Sequence, residues 1–299
     1  MKKGFALFFA LPPLLFSSCL DSGDDDDLDI QSPRIGSVDD MQTVMPSHFM
    51  EVGVEASSIP LAFQVEDETG ISMITLGVHS AFDGHTHGRI ANANNFQRLG
   101  YLHRINQQDM EDPRRFQVET SDSLLIYLDD RNTLITEGKL ILAGPYHFSI
   151  SATDIETNET SYADNSTYHT TLFIHREYAP LIQVDRIDKG TGTVEGSVRR
   201  NMEHELSSDI GFLWVYISRP DPANPSQEGD IREEWIWGNA GWQHLFRDNS
   251  GDPLADPQNI DLSELLSGEE AIRQMDDAEI LTIWAEDAFG NISVKSFNQ

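Results

Sequence analysis

Two segments of this chain repeat one another at a spacing of 133 residues: Ala152, Asp154 and Asn158 recur as Ala285, Asp287 and Asn291. In each copy an alternating stretch, 146–152 or 279–285, runs into an Asp…Asn turn. A short second strand follows, Thr160-Ser161-Tyr162 or Ser293-Val294-Lys295. Asp and Asn suit such a turn because their side chains bond nearby backbone amides and tolerate left-handed dihedrals. Period-2 patterning runs through the rest of the chain. Ile74, Leu76 and Val78 fall on one side of the stretch that begins at Val65, and Met73, Thr75, Gly77 and His79 on the other. Stretches 124–128, 171–175, 194–198 and 212–218 read the same way. The expected class is all-β: two tandem β-sandwiches, residues 35–179 and 180–299, meeting near Ala179-Pro180. Residues 261–273 form a helix candidate with Asp261 as N-cap, interrupted by Gly268. The polar stretch 94–110 is a second.

Cys19 is the single cysteine, so no intrachain disulfide can form, and packed cores must carry stability; 39% hydrophobic content is adequate for that. Lys2 and Lys3 precede an apolar stretch, 5–16, broken by Pro12 and Pro13, too short to span a bilayer and suited to export. Phe16-Ser17-Ser18-Cys19 resembles a bacterial lipobox, with Phe16 where Leu is usual. That resemblance implies a cleaved signal peptide, 1–18, and an acylated Cys19 as the mature N-terminus; the alternative is an ordinary signal peptide with a stray cysteine. Residues 19–34, rich in Asp, read as an acidic flexible tether. They serve as a plain linker or as a surface-export signal of the kind seen in Bacteroidetes lipoproteins. The expected location is the outer membrane, lipid-anchored and surface-exposed. The bilayer is then one partner, and an outer-membrane transporter or cell-surface ligand another. A formal net charge of -30 excludes nucleic acid.

Eight of the ten histidines lie before Ala179. The densest group is His79-Ser80-Ala81-Phe82-Asp83-Gly84-His85-Thr86-His87. An imidazole offers a metal one lone pair when neutral, so a site needs several converging rings. His85 and His87 point the same way if that segment is extended, and Gly84 lets the chain turn back toward His79. The repeat places Phe148, Ile150 and Ala152 on an apolar face, which leaves His147 on the opposite face. His79, His85, His87 and His147 thus form a candidate four-nitrogen site for a divalent transition metal. Zinc is the expected ion and copper(II) the rival, since copper binds the same ligands more tightly and only availability and geometry oppose it. Asp83 reads as a turn former or as an acceptor for a ring N–H. His103, His169 and His175 read as surface or strand-filling residues.

The strand-and-turn unit resembles the last hairpin of immunoglobulin-like and fibronectin-like sandwiches of secreted bacterial proteins, implying two tandem immunoglobulin-like β-sandwich domains. The lipobox, the acidic tether, Val65-Glu66-Asp67-Glu68-Thr69-Gly70-Ile71, the histidine segment and Tyr146-His147-Phe148 together resemble a Bacteroidetes lipoprotein family. That family carries an Ig-like domain of unknown function with a histidine-rich strand end. The resemblance covers 59–176 and implies an Ig-like fold and a metal site. In the second half, Trp235, Trp237 and Trp242 read mainly as core, with a sugar-binding platform as the alternative. Residues 252–256 read as a solvated loop, since they lack a calcium-loop pattern. No nucleophile elbow, phosphate loop or His-Glu-x-x-His helix is present. The functional expectation is a non-catalytic metal-binding lipoprotein, with metal capture beside a transporter as one role. An adhesion or glycan-binding module using the second-half aromatics is the alternative.

Overall fold

The computed structural model describes residues 30–38, 43–81, 95–119, 124–222, 229–242 and 247–298. Cys19, His85, His87 and His244 lie outside them, as do the signal segment and residues 19–29 of the tether. The protein is almost entirely β. In the first half a five-stranded sheet runs in the order β2 (Met50–Val52), β12 (Tyr168–Ile174), β11 (Gly144–Asp154), β5 (Ile71–Ser80) and β7 (Tyr101–Asn106). A three-stranded sheet joins β1 (Arg34–Gly36), β4 (Phe63–Glu66) and β8 (Arg115–Val118). Two short pairs join β3 (Ser58–Pro60) to β9 (Leu125–Tyr127) and β6 (Phe96–Gln97) to β10 (Leu140–Ile141). The second half has a three-stranded sheet of β13 (Leu181–Asp188), β14 (Thr193–Arg199) and β17 (Asn259–Asp261). Its four-stranded sheet is ordered β16 (Asp230–Gly238), β15 (Ile210–Arg219), β18 (Ile280–Asp287) and β19 (Ile292–Phe297). Among the described residues no strand ladder joins the two halves.

Alternation along β5 and β11 builds the first core. Ile74, Leu76, Val78, Phe148, Ile150 and Ala152 are buried, while the residues between them are half-exposed. The stretch 94–110 is not helical: it forms β6, β7 and a 3-10 turn at Gln107–Asp109. As the edge of its sheet, β7 pairs only with β5, and its single buried residue, Ile105, suffices to seat it, so a polar sequence is compatible with a strand there. The helix candidate at 261–273 divides into α1 (Leu262–Leu265) and α2 (Glu270–Arg273). Asp261 caps α1 by accepting from the Ser263 amide at 2.8 Å, and Gly268 breaks the run at φ 82°.

The repeated turn has the same geometry in both copies. The Asn158 amide donates to Asp154 Oδ1 at 2.7 Å and Asn158 Nδ2 to Asp154 Oδ2 at 2.7 Å. The matching bonds from Asn291 to Asp287 are 2.8 and 3.1 Å. The third turn residue is left-handed in each, Thr157 at φ 72° and Gly290 at φ 86°. Their surroundings differ. Asn158 is half-exposed, whereas Asn291 is fully buried and its Oδ1 accepts from the Ala143 amide of the first half at 3.2 Å. The Ile292 amide in turn donates to the Ala143 carbonyl at 2.9 Å. Burial raises the Asp287 carboxyl to about 6 against the pull of its amide donors.

Around this contact the halves share one apolar cluster. Phe96 meets Phe289 at 6.0 Å between ring centres, and the Arg98 guanidinium lies 4.6 Å over the buried Trp242 ring. Phe212, Trp214 and Trp284 belong to the same cluster, and against them lies the Arg247 guanidinium, 3.9 Å from the Trp214 ring and 4.4 Å from that of Trp284. Glu286, fully buried, accepts from Arg247 at 3.3 Å, from Trp284 Nε1 at 3.0 Å and from the Gly241 amide at 3.0 Å.

The left-handed Thr157 supplies a test of the repeat. A β-branched residue there is strained by about 1–2 kcal/mol, and its counterpart is glycine. Thr157 is exposed, so Thr157→Gly removes strain without removing packing. The substitution is expected to stabilise the protein by about 0.5–1 kcal/mol in denaturant unfolding, after the glycine's own entropic cost. A loss of stability would contradict the equivalence of the two turns.

Candidate functional site: an imidazole row on the outer sheet face

Three strands place three imidazoles side by side. In the antiparallel pairing of β11 with β5, His147 stands directly opposite His79, and their ring centres are 5.0 Å apart. On the other side of β11, strand β12 brings His169 to 5.7 Å from His147. All three rings lie on the side of the sheet away from Phe148 and Leu76, as the alternation requires. Tyr162 joins them from the connection between β11 and β12, 6.1 Å from His147 and 5.2 Å from His169. His48, just before β2, stacks at 5.2 Å on Tyr168, a residue of the core-facing set of β12.

The four imidazoles are half-buried, Tyr162 is exposed, and burial shifts the charge state of two of the rings. Burial holds the His169 imidazole below its ordinary 6.5. Burial and then the neighbouring His169 lower His48 in the same direction, against a hydrogen bond to the His169 backbone. At His169 and His48 the fold therefore favours the neutral ring, the form that carries a lone pair for a ligand.

Of the four residues expected from the sequence, the structure brings His79 and His147 together; His85 and His87 lie outside the described residues. Two imidazoles sharing one tetrahedral ion, at nitrogen–metal bonds of ~2.0–2.1 Å, hold their ring centres about 5 Å apart. The His79–His147 separation matches that spacing. Among the described residues no group of three or more His, Cys, Asp or Glu side chains converges on one metal position. His169, read from the sequence as strand-filling, belongs to the row. The signal was present: within β12 the outward set is His169, Thr171 and Phe173, alternating with the buried Thr170, Leu172 and Ile174. Elsewhere, Trp237 and Trp242 are buried, and Trp235 is partly buried with its Nε1 on Glu269 Oε2 at 3.3 Å, so these rings form no exposed platform.

The fold is nearly all-β among the described residues. The chain belongs to the family described as Domain of unknown function (DUF4625), which matches residues 18–167 and so takes in the whole of the histidine row except His169. No curated protein matches it. Among solved structures, a tetra-tandem repeat from the extending region of a large adhesion protein is similar at 11% identity and TM-score 0.27, covering 90% of this chain and 48% of that one. Dimeric latent PorU from Porphyromonas gingivalis is similar at 12% and 0.26, covering 91% and 20%. The fibronectin(III)-like modules of Clostridium thermocellum CbhA are similar at 9% and 0.22, covering 85% and 90%. The chain thus spans about half the length of the first of these and a fifth of the second.

The lowered His169 has a defined pH signature. An unfolded imidazole takes up its proton near 6.5 and the folded one only below that. The stability contributed by keeping this ring neutral is therefore full above the ordinary value and is lost as pH falls through it. Proton NMR of metal-free protein is expected to show His169 titrating below 6.5. A midpoint above 6.5 would contradict the assignment.

Proposed function

We propose that this protein is a non-catalytic, lipid-anchored surface protein of the outer membrane. In this reading it binds a divalent transition metal on the outer face of its five-stranded sheet. The observation that carries it is the imidazole row, with His79 and His147 at the spacing two rings adopt on one tetrahedral ion. His79 and His147 supply two nitrogens, and His85 and His87, which follow β5 in sequence, supply the rest. His169 and Tyr162 border the pair as additional donors. Zinc suits an exported nitrogen site without thiolate, and copper(II) is its competitor. Capture of metal beside a membrane transporter is the role this arrangement favours. Two tandem Ig-like sandwiches, one bearing the site and one bracing it, fit the separate strand ladders and the repeated turn. Anchoring rests on Cys19 and its flanking residues.

Metal titration of untagged protein tests the site. One zinc ion per chain is expected, with affinity falling steeply below pH ~6.5 as protons compete for the lone pairs. His79→Ala with His147→Ala should abolish binding and the accompanying rise in melting temperature. His103→Ala with His204→Ala should change neither. Equal binding by the two double variants would reduce the row to ordinary surface.

Cys19→Ala tests the anchor. The variant should appear in the soluble fraction, and labelled fatty acid should enter only the native chain. Unmodified Cys19 in a soluble native protein overturns this part of the reading.

A further inference from the structure

A second concave site lies at the seam between the halves. It encloses about 400 Å³, within the range of small-molecule pockets, which favour such seams. Its first-half wall is a pair of phenyl rings, Phe49 and Phe173, nearly parallel at 19° with centres 6.3 Å apart. Phe49 occupies the left-handed region at φ 53°, costly for an aromatic residue, and its amide is fixed by Thr170 Oγ1 at 3.0 Å. Strain of this kind persists where the surrounding structure enforces it and gathers at ligand clamps. Here it accompanies a ring held against the cleft.

The opposite wall sets three hydroxyls among apolar neighbours, Tyr216, Pro220, Pro222 and Ile280. The cross-strand register of β15, β18 and β19 sets Thr282 beside Ser296, with their oxygens 3.0 Å apart, and Ser218 lies one pair further along β15. Thr282 and Ser218 are buried. A hydroxyl carries one donor and two acceptor sites, so the Thr282–Ser296 bond leaves capacity on both oxygens. Among the described residues that line the cleft, none is cationic and only Asp221 is anionic.

From the ring pair facing this hydroxyl row, we infer that the cleft binds a neutral saccharide. A pyranose offers what both walls require: an apolar C–H face for the phenyl rings and a rim of hydroxyls for Ser218, Thr282 and Ser296. An alkyl chain would strip water from those hydroxyls without replacing its hydrogen bonds. An anionic sugar would meet Asp221 and no cation, in a chain already carrying a net charge of -30. This site is independent of the metal reading, because none of the outer-face histidines lines it.

The test is an array of neutral oligosaccharides probed with the full chain, followed by calorimetry, with glucuronic acid and decanoate as the anionic and apolar comparators. Binding to at least one neutral saccharide is expected, with neither comparator bound. Phe173→Ala and Thr282→Val should each weaken it at least tenfold while melting cooperatively. His79→Ala with His147→Ala should leave it unchanged. The proposal is overturned if no neutral saccharide binds, if decanoate alone binds, or if saccharide binding survives both cleft substitutions. Should Phe173→Ala fail to fold, Thr282→Val decides alone.

Discussion

Glu286 is the residue on which the joining of the halves turns. A carboxylate with no solvent contact is tolerable only with full hydrogen bonding, and this one receives a guanidinium, an indole N–H and a backbone amide. Its guanidinium partner is itself flattened against indole rings, where the ring quadrupole takes over part of the work of lost hydration. Removing one member leaves the other as a buried unpaired charge, a loss of about 3–5 kcal/mol in comparable pairs. Asp287 and its turn follow immediately in sequence. The pair therefore fixes both the aromatic face that meets the first half and the turn that docks on Ala143. The seam and its cleft depend on the same anchor.

Strand β11 divides two duties by parity. Tyr146, Phe148, Ile150 and Ala152 point inward and hold the first core, while His147 and Ser149 point outward. Chemistry on the outer face therefore needs no polar group in the core, and substitutions in the imidazole row leave the apolar packing intact. The two concave or clustered features also differ in kind. One gathers nitrogen donors on a sheet surface, and the other gathers rings and hydroxyls between domain-sized halves.

Most of the fold was legible because a strand with one buried face writes its orientation into every second residue. Ile74, Leu76 and Val78 gave the face of β5, and the Asp…Asn spacing located both turns. The polar β7 was misread because an edge strand needs few apolar contacts, and nothing local distinguishes it from a polar helix. At the site, His79 and His147 were legible through parity alone. His169 was not singled out, because its nearness to His147 arises from the register of β12 against β11, a long-range property absent from either stretch by itself. The cleft was also invisible: Phe49 and Thr282 are 233 positions apart and meet the same space only through the docking of the halves.

The buried turn at Asp287 and the open one at Asp154 have a geometric consequence. The joining contact pairs unlike surfaces: the turn of the second copy meets Ala143 of the first, and the first copy's own turn is left half-exposed. Such a contact has a polarity. Repetition of it adds units in a row, each receiving the next one's turn, and never closes into a symmetric pair. The joint within the chain is thus head-to-tail, and the turn of the histidine-bearing half stays open to solvent at residues 155–157.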